Sequence, residues 1–147
     1  MSEHNKTAVR RLFEEVWNKG NQVVVDELYA QNYTHHDPST ADLGQGPQSE
    51  KRRVTLYRNA FPDLRFTIED VIAEGETVMA RYTARGTHKG NLNEIAATGK
   101  QINVTGVSIS RFTNGKIAES WVNWDALGLM QQIGVVAETA KSRAATN

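Results

Sequence analysis

Residues Val54 to His88 read VTLYRNAFPDLRFTIEDVIAEGETVMARYTARGTH, and the hydrophobic period changes inside this stretch. Val54, Tyr57 and Phe61 are spaced as one face of a helix. Pro62 stops that helix, because the residue before a proline avoids the helical region. Leu64, Phe66 and Ile68 then alternate with Arg65, Thr67 and Glu69, which is the period of a strand. Gly75 marks a turn. Val78, Ala80, Tyr82, Ala84, Gly86 and His88 form one face of a second, longer strand. A helix that hands over to a hairpin predicts an α+β fold.

Upstream, Val9, Leu12, Phe13, Val16 and Trp17 make an amphipathic stripe that Gly20 closes. A short helix is predicted over Val23 to Tyr29, and the third helix starts at Pro47. Between them Asn32-Tyr33-Thr34-His35-His36-Asp37-Pro38 begins as a strand and stops at proline. Downstream, Gly90 to Gly99 is a loop. In the next strand Ile102 and Val104 have one parity, and Val107 and Ile109 the other, so a bulge is expected at Gly106. Asn114-Gly115 signals a hairpin. The last strand is expected to group Ile117, Glu119, Trp121, Asn123 and Asp125 on one face, leaving Met79, Val122 and Trp124 on the outside as a patch for a homodimer. Leu127, Met130 and Ile133 form a closing helix. Residues 1–134 are read as one domain and 135–147 as a polar tail.

The 147 residues suit one domain, and an apolar share of 39% can build one core. Seventeen basic residues balance seventeen acidic ones, which argues against nucleic acid or a membrane as partner. The run Lys51-Arg52-Arg53 reads as a solvated helix face. Cysteine is absent, so disulfides, thiolate metal sites and thiol nucleophiles are excluded. No His-Glu-x-x-His helix occurs, and neither metal nor cofactor is expected. The N-terminus has no apolar segment of the signal type, so a cytoplasmic location is expected.

Several motifs, in order, resemble one family. They are Asn32-Tyr33 with His36-Asp37-Pro38, Phe61-Pro62-Asp63-Leu64-Arg65-Phe66, Gly86-Thr87-His88-Lys89-Gly90 and Thr98-Gly99-Lys100. Then come Gly115-Lys116-Ile117-Ala118-Glu119-Ser120-Trp121, Asp125 and Gln131-Gln132-Ile133-Gly134. Together they span Ala8 to Gly134 and resemble the SnoaL-like polyketide cyclases of the nuclear transport factor two-like superfamily. The resemblance implies a cone-shaped α+β barrel: three N-terminal helices packed on a strongly curved antiparallel sheet, with a short C-terminal helix. It also implies a homodimer through the sheet. The activity implied is cofactor-free acid/base chemistry on a small hydrophobic molecule, an aldol-type cyclisation or an isomerisation. The fold also carries non-catalytic small-molecule binders and protein–protein modules, which stand as alternatives.

The resemblance assigns Asp125 as the acid/base carboxylate, and the expected parity of the last strand puts it beside Trp121 and Asn123. A helix N-cap is the competing role for Asp125. His36 is expected to assist and His35 to point elsewhere. Asp37 is the second carboxylate, with an Asp-Pro turn as its alternative. Substrate contacts are expected from Trp17, Tyr33, Tyr82, His88, Arg111, Trp121 and Asn123.

Overall fold

The computed structural model describes residues 2–137. The expected polar tail lies outside the described residues from 138 onward. The first helix, α1 (Ser2–Arg11), runs without a break into a π-helical segment, Leu12–Trp17. Helix α2 (Val23–Leu28) leads directly into strand β1 (Tyr29–His36), and α3 spans Pro47–Ala60. Strands β2 (Arg65–Glu74), β3 (Thr77–Thr87), β4 (Gln101–Thr113) and β5 (Lys116–Trp124) follow, and α4 (Ala126–Gln132) is the last element among the described residues. The period change at Pro62 therefore falls between α3 and β2, as the sequence predicts.

The five strands form one open sheet in the order β1-β5-β4-β3-β2. It is mixed rather than antiparallel, because β1 pairs with β5 in parallel. It is also not a closed barrel. The short connection from α2 to β1 delivers the chain to the far edge of the sheet, and α3 carries it back across the inner face.

The helices cover that inner face. Phe13 and Trp17 of the π-helical segment meet Phe66 of β2 and Tyr82 of β3, with neighbouring ring centroids 5.1–5.4 Å apart. Tilted aromatic pairs at this range contribute about 0.5–1.5 kcal/mol each beyond the area they bury. Val9, Val16, Val25, Val54, Val78 and Ile117 are almost wholly buried around them.

Two sequence expectations about parity are corrected. Strand β4 is regular from Gln101 to Arg111 against β3, with no bulge at Gly106. Ile102, Val104, Gly106, Ser108, Ser110 and Phe112 all face inward, and Val107 and Ile109 face out. Apolar residues follow both parities because the outer face is itself partly apolar. Gly106 is required for another reason. It pairs with Tyr82, and a Cβ on it would stand 2.4 Å from the Tyr82 hydroxyl and 2.9 Å from Trp124 Cβ.

The irregularity lies instead at the β4–β5 hairpin. Phe112 pairs with Ile117 and Arg111 with Glu119, so Ala118 is the extra residue. The parity of β5 flips there. Ile117 faces inward, and after Ala118 the inward residues are Ser120, Val122 and Trp124, while Glu119, Trp121 and Asn123 face out. The outer patch is consequently not Met79, Val122 and Trp124. It is the cross-strand row Ile72, Met79, Ile109, Trp121, in which each residue pairs with the next.

Candidate functional site

Between the inner sheet face and the helices lies a cavity of about 110 Å³. Its walls are mainly apolar and aromatic, including Phe13, Trp17, Phe61, Phe66 and Val104. Among the described residues, its charged or ionisable lining groups are Tyr29, Tyr33, His35, Asp37, Glu50, Arg53, Tyr57 and Tyr82. A few polar groups set in an apolar cleft are the pattern of a small-molecule site.

Strand β1 supplies the first polar cluster. Alternation sends Tyr29, Tyr33 and His35 inward and continues to Asp37 just past the strand. The Tyr33 hydroxyl is 2.8 Å from His35 Nδ1. His35 Nε2 is buried, has no hydrogen-bond partner among the described residues and lies 3.9 Å from Asp37 Oδ2. Asp37 is itself fixed. Oδ1 accepts from the Ser39 backbone N–H at 2.8 Å, and Oδ2 accepts from Thr40 Oγ1 at 2.9 Å and Trp124 Nε1 at 3.1 Å. Burial pushes the Asp37 carboxyl up, but the neighbouring His35 imidazole and the hydrogen bonds from Ser39, Thr40 and Trp124 outweigh it. The net position is below the ordinary 3.8. Asp37 is thus a held anion beside an imidazole with one uncommitted nitrogen.

Helix α3 supplies the second cluster. Glu50 and Arg53, one turn apart, form an ion pair with both side chains almost entirely buried. Glu50 Oε1 accepts from Arg53 Nη1. Its Oε2 accepts from the Tyr29 hydroxyl at 3.0 Å and from Trp17 Nε1 at 3.2 Å. Arg53 Nε is buried without an acceptor among the described residues. Burial raises the phenols of Tyr29, Tyr33, Tyr57 and Tyr82, so all four stay protonated around neutrality.

Of the residues expected from sequence, Trp17, Tyr33, Asp37 and Tyr82 meet in this cavity. The others lie elsewhere. His36 is on the outer face, 2.6 Å from Glu119 and stacked on Trp121 at 5.3 Å. Trp121 is 37% exposed rather than facing the cavity. Arg111 lies over the Trp121 ring at 5.3 Å and pairs with Glu119, and Asn123 is exposed. His88 is buried outside the lining, where Nδ1 accepts from the Thr98 N–H at 3.2 Å and ties down the loop after β3.

Asp125 is exposed, and its Oδ1 accepts from the Gly128 N–H at 2.8 Å, capping α4. A Cβ at residue 128 would stand 2.1 Å from Asp125 Oδ2, so this cap depends on glycine there. The expected placement of Asp125 beside Trp121 in the cavity fails because the Ala118 bulge turns that parity outward.

Sequence reasoning missed His35, Glu50 and Arg53. His35 shares parity with Tyr33 and Asp37, and that signal was available. Glu50, Arg53, Val54 and Tyr57 follow the helical spacing of a buried face, a signal that the neighbouring charges of Lys51 and Arg52 obscured.

A model of the SnoaL-like polyketide cyclase family matches residues 7–133. The aklanonic acid methyl ester cyclase DauD of Streptomyces sp. (strain C5) is 29% identical over 133 residues, covering 86% of this chain and 79% of the relative. The aklanonic acid methyl ester cyclase DnrD of Streptomyces peucetius is also 29% identical, covering 86% and 88% respectively. A solved structure from Acidithiobacillus ferrooxidans is 32% identical with a TM-score of 0.80, covering 93% of this chain and 99% of that one. TsrD from Streptomyces laurentii is 26% identical with a TM-score of 0.78, covering 88% and 97%.

Proposed function

The chain belongs to the SnoaL-like polyketide cyclase family, and from that premise we propose that it catalyses a cofactor-free, aldol-type ring closure or isomerisation in the cavity, with His35 and Asp37 as the acid/base pair. The observation that carries this reading is the uncommitted, buried His35 Nε2 beside the fixed Asp37 carboxylate. His35 takes the proton from a carbon next to a carbonyl, and the substrate becomes an enolate. Asp37 does not leave its hydrogen bonds; its charge stabilises the imidazolium that forms. The enolate carbon then attacks a second carbonyl of the same molecule, and the imidazolium returns its proton to the new alkoxide. Protons and charges balance, and no external oxidant or reductant enters. The compact, aromatic-lined space favours a flat hydrophobic substrate of few rings.

The first test needs no natural substrate. Protein in D2O with a bicyclic β-keto ester is followed by NMR for loss of the α-proton signal. The proposal predicts exchange well above the buffer rate, competed by hydrophobic ligands of the cavity. Exchange at the buffer rate, with the ester bound, would leave a non-catalytic small-molecule binder as the better account.

A homodimer through the outer sheet face is part of the same reading. Ile72, Met79, Ile109 and Trp121 cross that face in one row, and Val107 lies alongside. A contiguous apolar row on the outside of a sheet favours a self-complementary contact. Among the described residues no helix is long and apolar enough to cross a membrane, and a formal charge of zero gives no net attraction to nucleic acid. A cytoplasmic enzyme acting on a small molecule fits both observations.

A further inference from the structure

The Glu50–Arg53 pair has no part in the proton transfer just described, and burying it carries a cost. Two charges withdrawn from water are compensated only when their remaining hydrogen-bonding capacity is met. Glu50 is well met, since Arg53, Tyr29 and Trp17 all donate to it. Arg53 is not. Its side chain is 6% exposed, one nitrogen is spent on Glu50, and Nε has no acceptor among the described residues. A buried N–H of a cation left without an acceptor carries an uncompensated desolvation penalty. Both members of the pair line the cavity, so an oxygen atom there would remove the deficit.

We propose that Arg53 is the oxyanion-binding residue of this cavity, and that the ligand it selects is the enolate or phenolate form of a flat aromatic carbonyl compound. The inference rests on the proposed enolate chemistry and names what holds the developing charge. The guanidinium suits this role because its N–H groups are fixed in a plane and it stays charged when buried. Glu50 is a positioning residue: anchored by Tyr29 and Trp17, it holds the guanidinium in place. A carboxylate ligand is disfavoured. Asp37 already places one held anion in the lining, and Glu50 cancels most of the Arg53 charge. A localised second anion would meet both, whereas a charge spread over a ring system is less costly to desolvate. The aromatic rings of Trp17, Tyr57 and Tyr82 in the same lining suit a planar partner.

The test uses two probes of nearly one shape, 2-hydroxy-1,4-naphthoquinone, which is ionised at neutral pH, and its neutral 2-methoxy analogue. Binding to the full chain is followed by quenching of tryptophan fluorescence, since Trp17 and Trp124 line the cavity. Wild type should prefer the ionised probe by about ten- to a hundredfold, the range of a hydrogen bond to a charged group. The double variant Arg53→Met with Glu50→Gln removes both charges together and keeps an acceptor for Tyr29 and Trp17. It should lose the preference, so that the two probes bind with nearly equal affinity. A preference that survives in the double variant, or is absent in wild type, overturns the proposal.

A second measurement does not depend on a variant folding. In wild type, one slowly exchanging arginine Nε–H signal in the 15N NMR spectrum should move with the ionised probe, and by more than with the methoxy probe. No such movement also overturns it. Failure of the acid/base proposal looks different: α-proton exchange would be absent while the preference for the ionised probe remained.

Discussion

At Asp37 one carboxylate accepts three hydrogen bonds and lies near a fourth donor, and its ionisation couples to stability. Its folded pKa lies below 3.8, so the contribution is present above that value and is lost as the pH falls through the lower, folded one. Asp37→Asn should cost about 1–3 kcal/mol at pH 7, the scale of disrupted buried hydrogen bonds. The gap between variant and wild type should begin to narrow as the pH falls below 3.8 and close only below the lower, folded pKa, where the wild-type carboxyl also becomes neutral. Urea unfolding at pH 7 and along a descending acid series checks both parts. At Asp125 the expectation is different, because asparagine caps a helix about as well as aspartate. Asp125→Asn should leave the melting temperature within experimental error, and Asp125→Ala should cost about 1 kcal/mol. Tyr33, Tyr82 and Trp17 were legible in the sequence as inward-facing residues, because a strand parity or a helical stripe carried them inward, and Asp37 was legible from its motif; all four line the cavity. Motif resemblance favours His36, whereas parity with Tyr33 favours His35. Glu50 and Arg53 were hidden because charged residues are rarely buried unless paired, and a pairing across one turn of helix is also what a solvated face displays.

At the scale of elements, the helix-to-strand switch at Pro62, the long β3 face and the Asn114-Gly115 hairpin were all legible, since each depends on local period or turn chemistry. The bulge was not. Its sign in the sequence, apolar residues of both parities in β4, arises from the apolar outer face, whereas the extra residue sits in β5 at Ala118. Alanine fits either side of a sheet and leaves no mark on the hydrophobic pattern. That single residue decides which side of β5 faces the cavity, and so moved Trp121, Asn123 and Asp125 out and brought Ser120, Val122 and Trp124 in. The parallel pairing of β1 with β5 was equally invisible, because it joins segments far apart in the chain. Gly106 offers a direct test of the packing across β3, β4 and β5. Gly106→Ala puts a methyl against the Tyr82 ring and Trp124 Cβ, and should destabilise the protein by about 1–3 kcal/mol, the usual cost of overpacking. A regular strand with spare room at residue 106 would instead gain slightly from alanine. Thermal unfolding distinguishes the two.

For the whole molecule, the open sheet separates two features by face. The inner face, with the π-helical segment and α3, encloses the cavity, and the outer face carries the apolar row from Ile72 to Trp121. A charge in the middle of that row should break the proposed dimer and leave the cavity alone. Ile109→Glu should therefore sediment as a monomer at micromolar concentration while wild type sediments as a dimer. A monomeric wild type would remove the dimer from the account and leave the chemistry standing. The chemistry itself depends on where the chain places its acid/base group, in the cavity at His35 and Asp37 or at the exposed cap Asp125. α-Proton exchange of the bicyclic β-keto ester, measured side by side for His35→Gln and Asp125→Asn, separates these directly. The account predicts that His35→Gln loses about a hundred- to ten-thousandfold of the catalysed rate, the usual contribution of a general base, while Asp125→Asn exchanges as wild type does. The reverse pattern, with His35→Gln active and Asp125→Asn inactive, would contradict it.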